Sequence, residues 1–132
     1  RKIEFKIITR GRIRYQMNRI ESVISEIKSE NNVDDRMTLI TYALNDTVTP
    51  IPEVGNICTF YYYAKTPNIE YDQHPLVAVT ELFNWGFRGI NFHHQEYRQY
   101  TWEELGSQVY IVQQDELDEL LSLQYGKFVL NK

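Results

Sequence analysis

A single cysteine, Cys58, excludes an internal disulfide and a cysteine-based zinc site. In a mainly apolar stretch its simplest role is that of a small buried side chain. No apolar run approaches the length of a membrane span, so no membrane partner is expected, and no segment has the order of a signal peptide. The chain begins at Arg1 rather than Met, as expected of a processed or trimmed N-terminus. HExxH and GxSxG are missing, and Gly86-Phe87-Arg88-Gly89 lacks the spacing of a phosphate-cradling loop. Cys58 has no basic neighbour in sequence to lower its pKa, so it is no candidate nucleophile. Internal repeats and low-complexity tracts are also missing, and no cofactor is implied.

What is present is one soluble globular domain of 132 residues, 42% hydrophobic and 24% charged, with room for a single core and an appendage. Aromatic content is high at 14%, with ten Tyr, whose apolar body and polar tip suit strands, interfaces or stacking surfaces. The net charge of −4 is unevenly spread. Residues 1–20 carry Arg1, Lys2, Lys6, Arg10, Arg12, Arg14 and Arg19 against Glu4 alone, whereas the rest is acidic. A basic arm on an acidic body fits nucleic acid, an acidic protein, or a neighbouring copy of the same chain.

Ile3, Phe5 and Ile7 alternate with Lys2, Glu4 and Lys6, the period of a strand or extended arm. From Gly11 the period changes, and Ile13, Met17, Ile20, Ile24 and Ile27 form one stripe along a helix expected over 12–29. That stripe packs either on its own domain or on another chain. Residues 30–35 read as a polar loop, 37–44 as a strand rich in Thr, Ile and Tyr, and 45–56 as a loop with Pro50 and Pro52. Ile57 to Ala64 (ICTFYYYA) reads as a strand, and 65–74 as a polar excursion.

The organising stretch is 71–94, a hairpin. Leu76 to Val79 is a continuous apolar run, which in a strand means both faces are covered. Asn84-Trp85-Gly86 supplies the turn, with Gly86 expected at positive φ. On the return strand Ile90 and Phe92 share one face, and Gly89, Asn91 and His93 the other. Thr101-Trp102-Glu103-Glu104 matches a capping box, followed by Gly106, a strand at 108–112, a helix from Asp115 with Leu117, Leu120 and Leu121 inward, Gly126 as its stop, and an edge strand at 128–130. The order predicts an α+β fold: an N-terminal arm and amphipathic helix (1–31), then a small, partly open antiparallel β-barrel, SH3-like or similar, with short helical insertions (32–132).

His74, His93 and His94 are the only histidines. Neighbours in a strand point to opposite faces, so His93 and His94 are poorly placed to share a metal ion. Asp72, His74 and His93 converge if the hairpin ends meet. The order of strands faintly resembles ββα-metal nucleases, yet His74 precedes its strand and residues 95–105 hold no His, against that family's pattern. Structural hydrogen-bonding histidines are the plainer reading, with Asn91 and His93 fixing the loop 65–75 and Asp72 as the partner of His93. Phe60 to Tyr63 offers a stacking surface for single-stranded nucleic acid, but the cations lie on the arm.

Tyr71-Asp72, Pro75-Leu76, Gly86-Phe87, Gly89, Asn91 and His93 together resemble a pattern in short proteins of T4-like and related tailed bacteriophages. The likeness covers about 57–94, and departs at His94, where that pattern has Tyr, and after it, where Leu-Pro is missing. It implies a virion or assembly role, with assembly in the host cytoplasm, and no catalytic residues. The expected function is then a non-enzymatic tail, baseplate or neck subunit whose partners are other virion proteins and copies of itself. Its attachment device would be Arg10, Arg12, Ile13, Arg14, Met17, Ile20, Ile24 and Ile27, while Asp72, Pro75, Gly86, Gly89, Asn91 and His93 hold the hairpin. The alternatives are a phage DNA-binding or DNA-end factor using Arg10, Arg12, Arg14 and Arg19 on phosphates, and a metal-dependent nuclease.

Overall fold

The computed structural model of the chain describes residues 18–106, 108–123 and 126–131. Three short helices, α1 (Ile24–Ser29), α2 (Val33–Ala43) and α3 (Leu117–Leu121), accompany eight strands. These are β1 (Val48–Thr49), β2 (Ile57–Thr59), β3 (Glu70–Tyr71), β4 (Leu76–Phe83), β5 (Gly86–Asn91), β6 (Glu96–Thr101), β7 (Val109–Val112) and β8 (Phe128–Val129). Six form one antiparallel sheet in the order β1-β7-β2-β4-β5-β6, while β3 and β8 pair separately. The fold is α+β as expected, but the sheet is open: β1 and β6 are its two ends and do not pair, so the expected barrel does not form.

The sheet is covered on both sides, which is why β4 reads as an unbroken apolar run. On one side Leu76, Ile57, Tyr110 and Val112 meet Ile20, Ile27, Met37, Ile40, Leu44, Leu117, Leu120 and Leu123 from the helical segments. On the other, Val77, Val79, Cys58 and Val109 meet an aromatic cluster of Phe60, Tyr62, Phe87 and Tyr100. Phe60 sits edge-on to Tyr62, Phe87 and Tyr100 at centroid distances of 6.3, 5.8 and 5.3 Å, the arrangement that ring quadrupoles favour. Ile20 and Ile27 are therefore core residues of the chain itself, with Ile24 packed beside them. A boundary at residue 31 would cut through this core.

The helix expected over 12–29 is helical only over Ile24–Ser29 within the described residues. Asn18 caps the turn that follows it: its side-chain oxygen accepts from the Ile20 and Glu21 amides (3.0 and 2.8 Å), and Glu21 Oε1 accepts from the Asn18 amide (2.9 Å). This reciprocal cap fixes the turn over residues 18–21. The strand expected over 37–44 is instead part of α2 (Val33–Ala43) with Leu44 as its C-cap, and the helix begins within the loop expected over 30–35. Asn32 accepts from the Asp35 amide at 3.0 Å, Asp34 and Asp35 sit at the positive end, and Met37, Ile40, Thr41 and Leu44 bury one face. The strand expected over 57–64 stops at Thr59; beyond it Tyr62 makes only an isolated bridge to Leu105.

The β4–β5 hairpin forms, with a bulge between Val79 and Glu81. Its turn is Asn84–Trp85, and Gly86 already pairs with Phe83, without positive φ. Gly86 is needed for closeness instead, since a Cβ there would collide with the Tyr100 carbonyl. Gly89 is confined similarly, with Val77 Cγ1 2.5 Å from where its Cβ would stand. Strand β6, opposite β5 in register from Gly86↔Thr101 to Asn91↔Glu96, has no counterpart in the sequence reading. The capping box is present: Glu104 donates its amide to Thr101 Oγ1 (3.3 Å) and accepts from the Thr101 amide (3.1 Å).

Candidate functional site

Asn91 ends β5 and shapes the turn to β6. Its side-chain oxygen accepts from the His93 and His94 amides (2.9 and 3.0 Å), and its Nδ2 donates to the Tyr100 hydroxyl (2.9 Å). Gln95 completes the turn at φ 56°. His93 and His94 therefore lie in a turn rather than on a strand, and diverge from one capping oxygen. His93 Nδ1 lies 3.0 Å from Asp72 Oδ2, while His94 Nδ1 lies 3.8 Å from Glu70 Oε1. Asn91 thus holds its own turn and Tyr100; the tie to the loop before β4 is made by His93.

Asp72, 1% exposed, is the hub of that loop. Its Oδ1 accepts from the His74 amide at 3.0 Å, bending the chain into buried Pro75 and β4. His74 Nε2 stands 3.3 Å from Asp34 Oδ1 at the start of α2, and its ring meets Tyr61 edge-on at 5.4 Å. Three segments distant in sequence are fastened here: the β5–β6 turn, the loop 72–75 and the first turn of α2. Asp72, His74 and His93 border a cavity of about 50 Å³ together with Arg36, Thr59 and apolar side chains such as Met37, Leu76 and Leu120.

Burial pushes the His74 pKa below its usual value, with Asp72 and Asp34 opposing the shift. Burial also lowers that of His94, aided by Arg98 and opposed by Glu70 and Asp72. Both imidazoles are held toward the neutral form. Among the described residues no group of three His, Cys, Asp or Glu side chains is arranged to hold a metal ion. Cys58 lies in the aromatic core, where burial pushes its thiol pKa up and suppresses the thiolate. The arrangement fastens the fold.

The expected attachment residues divide. Arg10, Arg12, Ile13, Arg14 and Met17 lie outside the described residues, and Ile20 and Ile27 are core. Arg19, expected on phosphates, is engaged within the chain. Its Nε and Nη2 donate to the two Glu116 oxygens (2.7 and 2.8 Å), and Nη1 donates to Asp46 and Thr47 (2.6 and 2.8 Å). Those contacts, the Glu116 hydrogen bond foremost, raise its pKa further and keep it charged.

The sequence reading missed the outer side of β6. Tyr97 is 63% exposed there, and a groove of about 420 Å³ runs beside Glu96, Arg98 and Gln99 toward Tyr62 and Ile69. The only signal was the pairing of a tyrosine-rich stretch with Gly89, legible once the register is known. No protein-family model, curated protein or solved structure matches the chain.

Proposed function

We propose that the chain is a non-enzymatic structural component of a tailed-phage particle, a tail, baseplate or neck subunit that docks on neighbouring subunits through its N-terminal segment. The observation that carries this reading is the outer side of β6, a six-residue edge that ends a six-stranded sheet and is unpaired among the described residues. Such an edge is a template for strand addition unless charge, shortness or a covering loop blocks it. The phage attribution rests on the resemblance of about residues 57–94 to tailed-phage proteins. The histidine–aspartate cluster fits the same reading, because it draws the β5–β6 turn, the loop 72–75 and the start of α2 together.

The test is sedimentation velocity on the full chain across concentration, at low and high salt, with and without a short DNA duplex. An assembly subunit associates with itself, or with another virion protein, independently of DNA. A chain that stays monomeric and shifts only with duplex at low salt is a DNA-binding factor, and the assembly reading falls.

A further inference from the structure

Strand β6 alternates across the sheet. Tyr100 is buried in the aromatic cluster on one face, Glu96 and Arg98 stand on that same face, and Tyr97 and Gln99 point to the other. The register sets Arg98 opposite Gly89, so no side chain competes for that space, and the Arg98 side chain is drawn in to 9% exposure. Its Nε lies 3.3 Å from Glu96 Oε2, without the alignment of a hydrogen bond. The side chain borders the 420 Å³ groove with Tyr62, Thr66 and Ile69. A largely buried guanidinium with donor capacity beside an open strand edge is suited to a carboxylate carried on an incoming strand.

We infer that this edge receives residues 2–7 of a second copy as an added antiparallel strand, with Glu4 seated on Arg98. The inference rests on the assembly reading above and names its contact. Antiparallel pairing of Glu4 with Arg98 sets Lys6 opposite Glu96 on the same face and Phe5 opposite exposed Tyr97 on the other. Ile3 then lies opposite Gln99, where the helices do not cover the sheet. One register thus supplies two opposite-charge pairs and an aromatic pair. A shift by one residue would put Ile3 or Phe5 opposite Arg98.

The occupant is a second copy because the assembly reading calls for contacts between subunits. Asn18 is tied to the Asp115 carbonyl at 2.7 Å, and Arg19 to Glu116, beside β7. Strand β6 lies four strands away, roughly 19 Å across at about 4.8 Å per strand. Ten residues, 8–17, separate Asn18 from the donor segment and can span about 33 Å, enough to reach the edge of a neighbouring subunit, and the association measured below separates this from pairing within one chain.

The experiment compares four full-length proteins by sedimentation velocity, with hydrogen exchange on the β6 amides: the natural sequence, Glu4→Arg, Arg98→Glu, and the two combined. The expected result is concentration-dependent association with β6 protected, at least tenfold weakening in each single variant, and recovery in the double. If Arg98→Glu fails to fold, Glu4→Arg and Lys6→Glu, both on the donor side, ask the same question. Association indifferent to all of these overturns the inference and leaves the assembly reading standing. A monomer with β6 protected overturns it in favour of the arm folding back on its own sheet. A monomer with β6 unprotected overturns the inference and, unless another virion protein is bound, the assembly reading with it.

Discussion

Arg19→Ala is the most informative single change to the folded body. Glu116 is fully buried, and Arg19 supplies both of its guanidinium contacts. Removing one partner of a buried ion pair strands the other, at a cost of about 3–5 kcal/mol. The Gln113 amide still donates to Glu116 Oε1 at 2.8 Å, which places the expectation at the lower end, about 3 kcal/mol. The Asp46 contact adds little, since that carboxylate is 72% exposed and screened. At roughly 4 °C per kcal/mol for a domain of this size, the melting temperature falls by about 12 °C. Urea titration followed by circular dichroism gives the free energy directly. Asp46→Ala should cost under about 1 kcal/mol, and Arg19→Met with Glu116→Leu should recover much of the Arg19→Ala loss by removing the stranded charge. If Arg19→Ala costs no more than Asp46→Ala, the buried pair does not anchor residues 18–29 and the reasoning fails.

Removing residues 1–31 should leave a chain that aggregates or melts without cooperativity in calorimetry, because Ile20 and Ile27 contribute about 1.5–3 kcal/mol each and Arg19 adds to them. Gly89→Ala should destabilise by about 1–3 kcal/mol in urea, the cost of forcing a methyl against Val77 and the Ala78 carbonyl. Asn91→Ala, which strands two amides and the buried Tyr100 hydroxyl, should cost about 2–4 kcal/mol and increase exchange at His93 and His94. The lowered His74 and His94 pKa values mean the unfolded chain binds more protons, so stability should fall as pH drops below the ordinary histidine value of 6.5. Urea midpoints from pH 7.5 to 5 should show that slope, flattened in His74→Gln.

The β4–β5 hairpin was readable because two physical signals coincide there: an apolar run for a strand buried on both faces, and glycines where backbones touch. Asp72 and His93 were recognisable as partners from polarity alone, since they flank the same hairpin. Residues 37–44 misled because Thr38, Ile40, Thr41 and Tyr42 favour strands intrinsically. Burial at Met37, Ile40, Thr41 and Leu44 follows the helical period instead, and packing overrode propensity. Asn18-x-x-Glu21 was a legible cap hidden inside an isoleucine stripe that continued across it. Strand β6 escaped because an edge strand with one uncovered face carries little apolar alternation.

The order of the strands also dictates when the protein can fold during its own synthesis. The meander from Leu76 to Thr101 closes through short turns and needs only local partners. The helical core does not: Ile20 and Ile27 share it with Val112, Leu117, Leu120 and Leu123, nearly a hundred residues later. Strand β2 likewise pairs with β7 across more than fifty residues. On the ribosome the first helices emerge long before the strand and leucines that bury them, leaving apolar surface uncovered for seconds at ordinary elongation rates. The nascent chain is then a natural client for chaperones, and completion of residues 109–123 is the event that commits it to the native state.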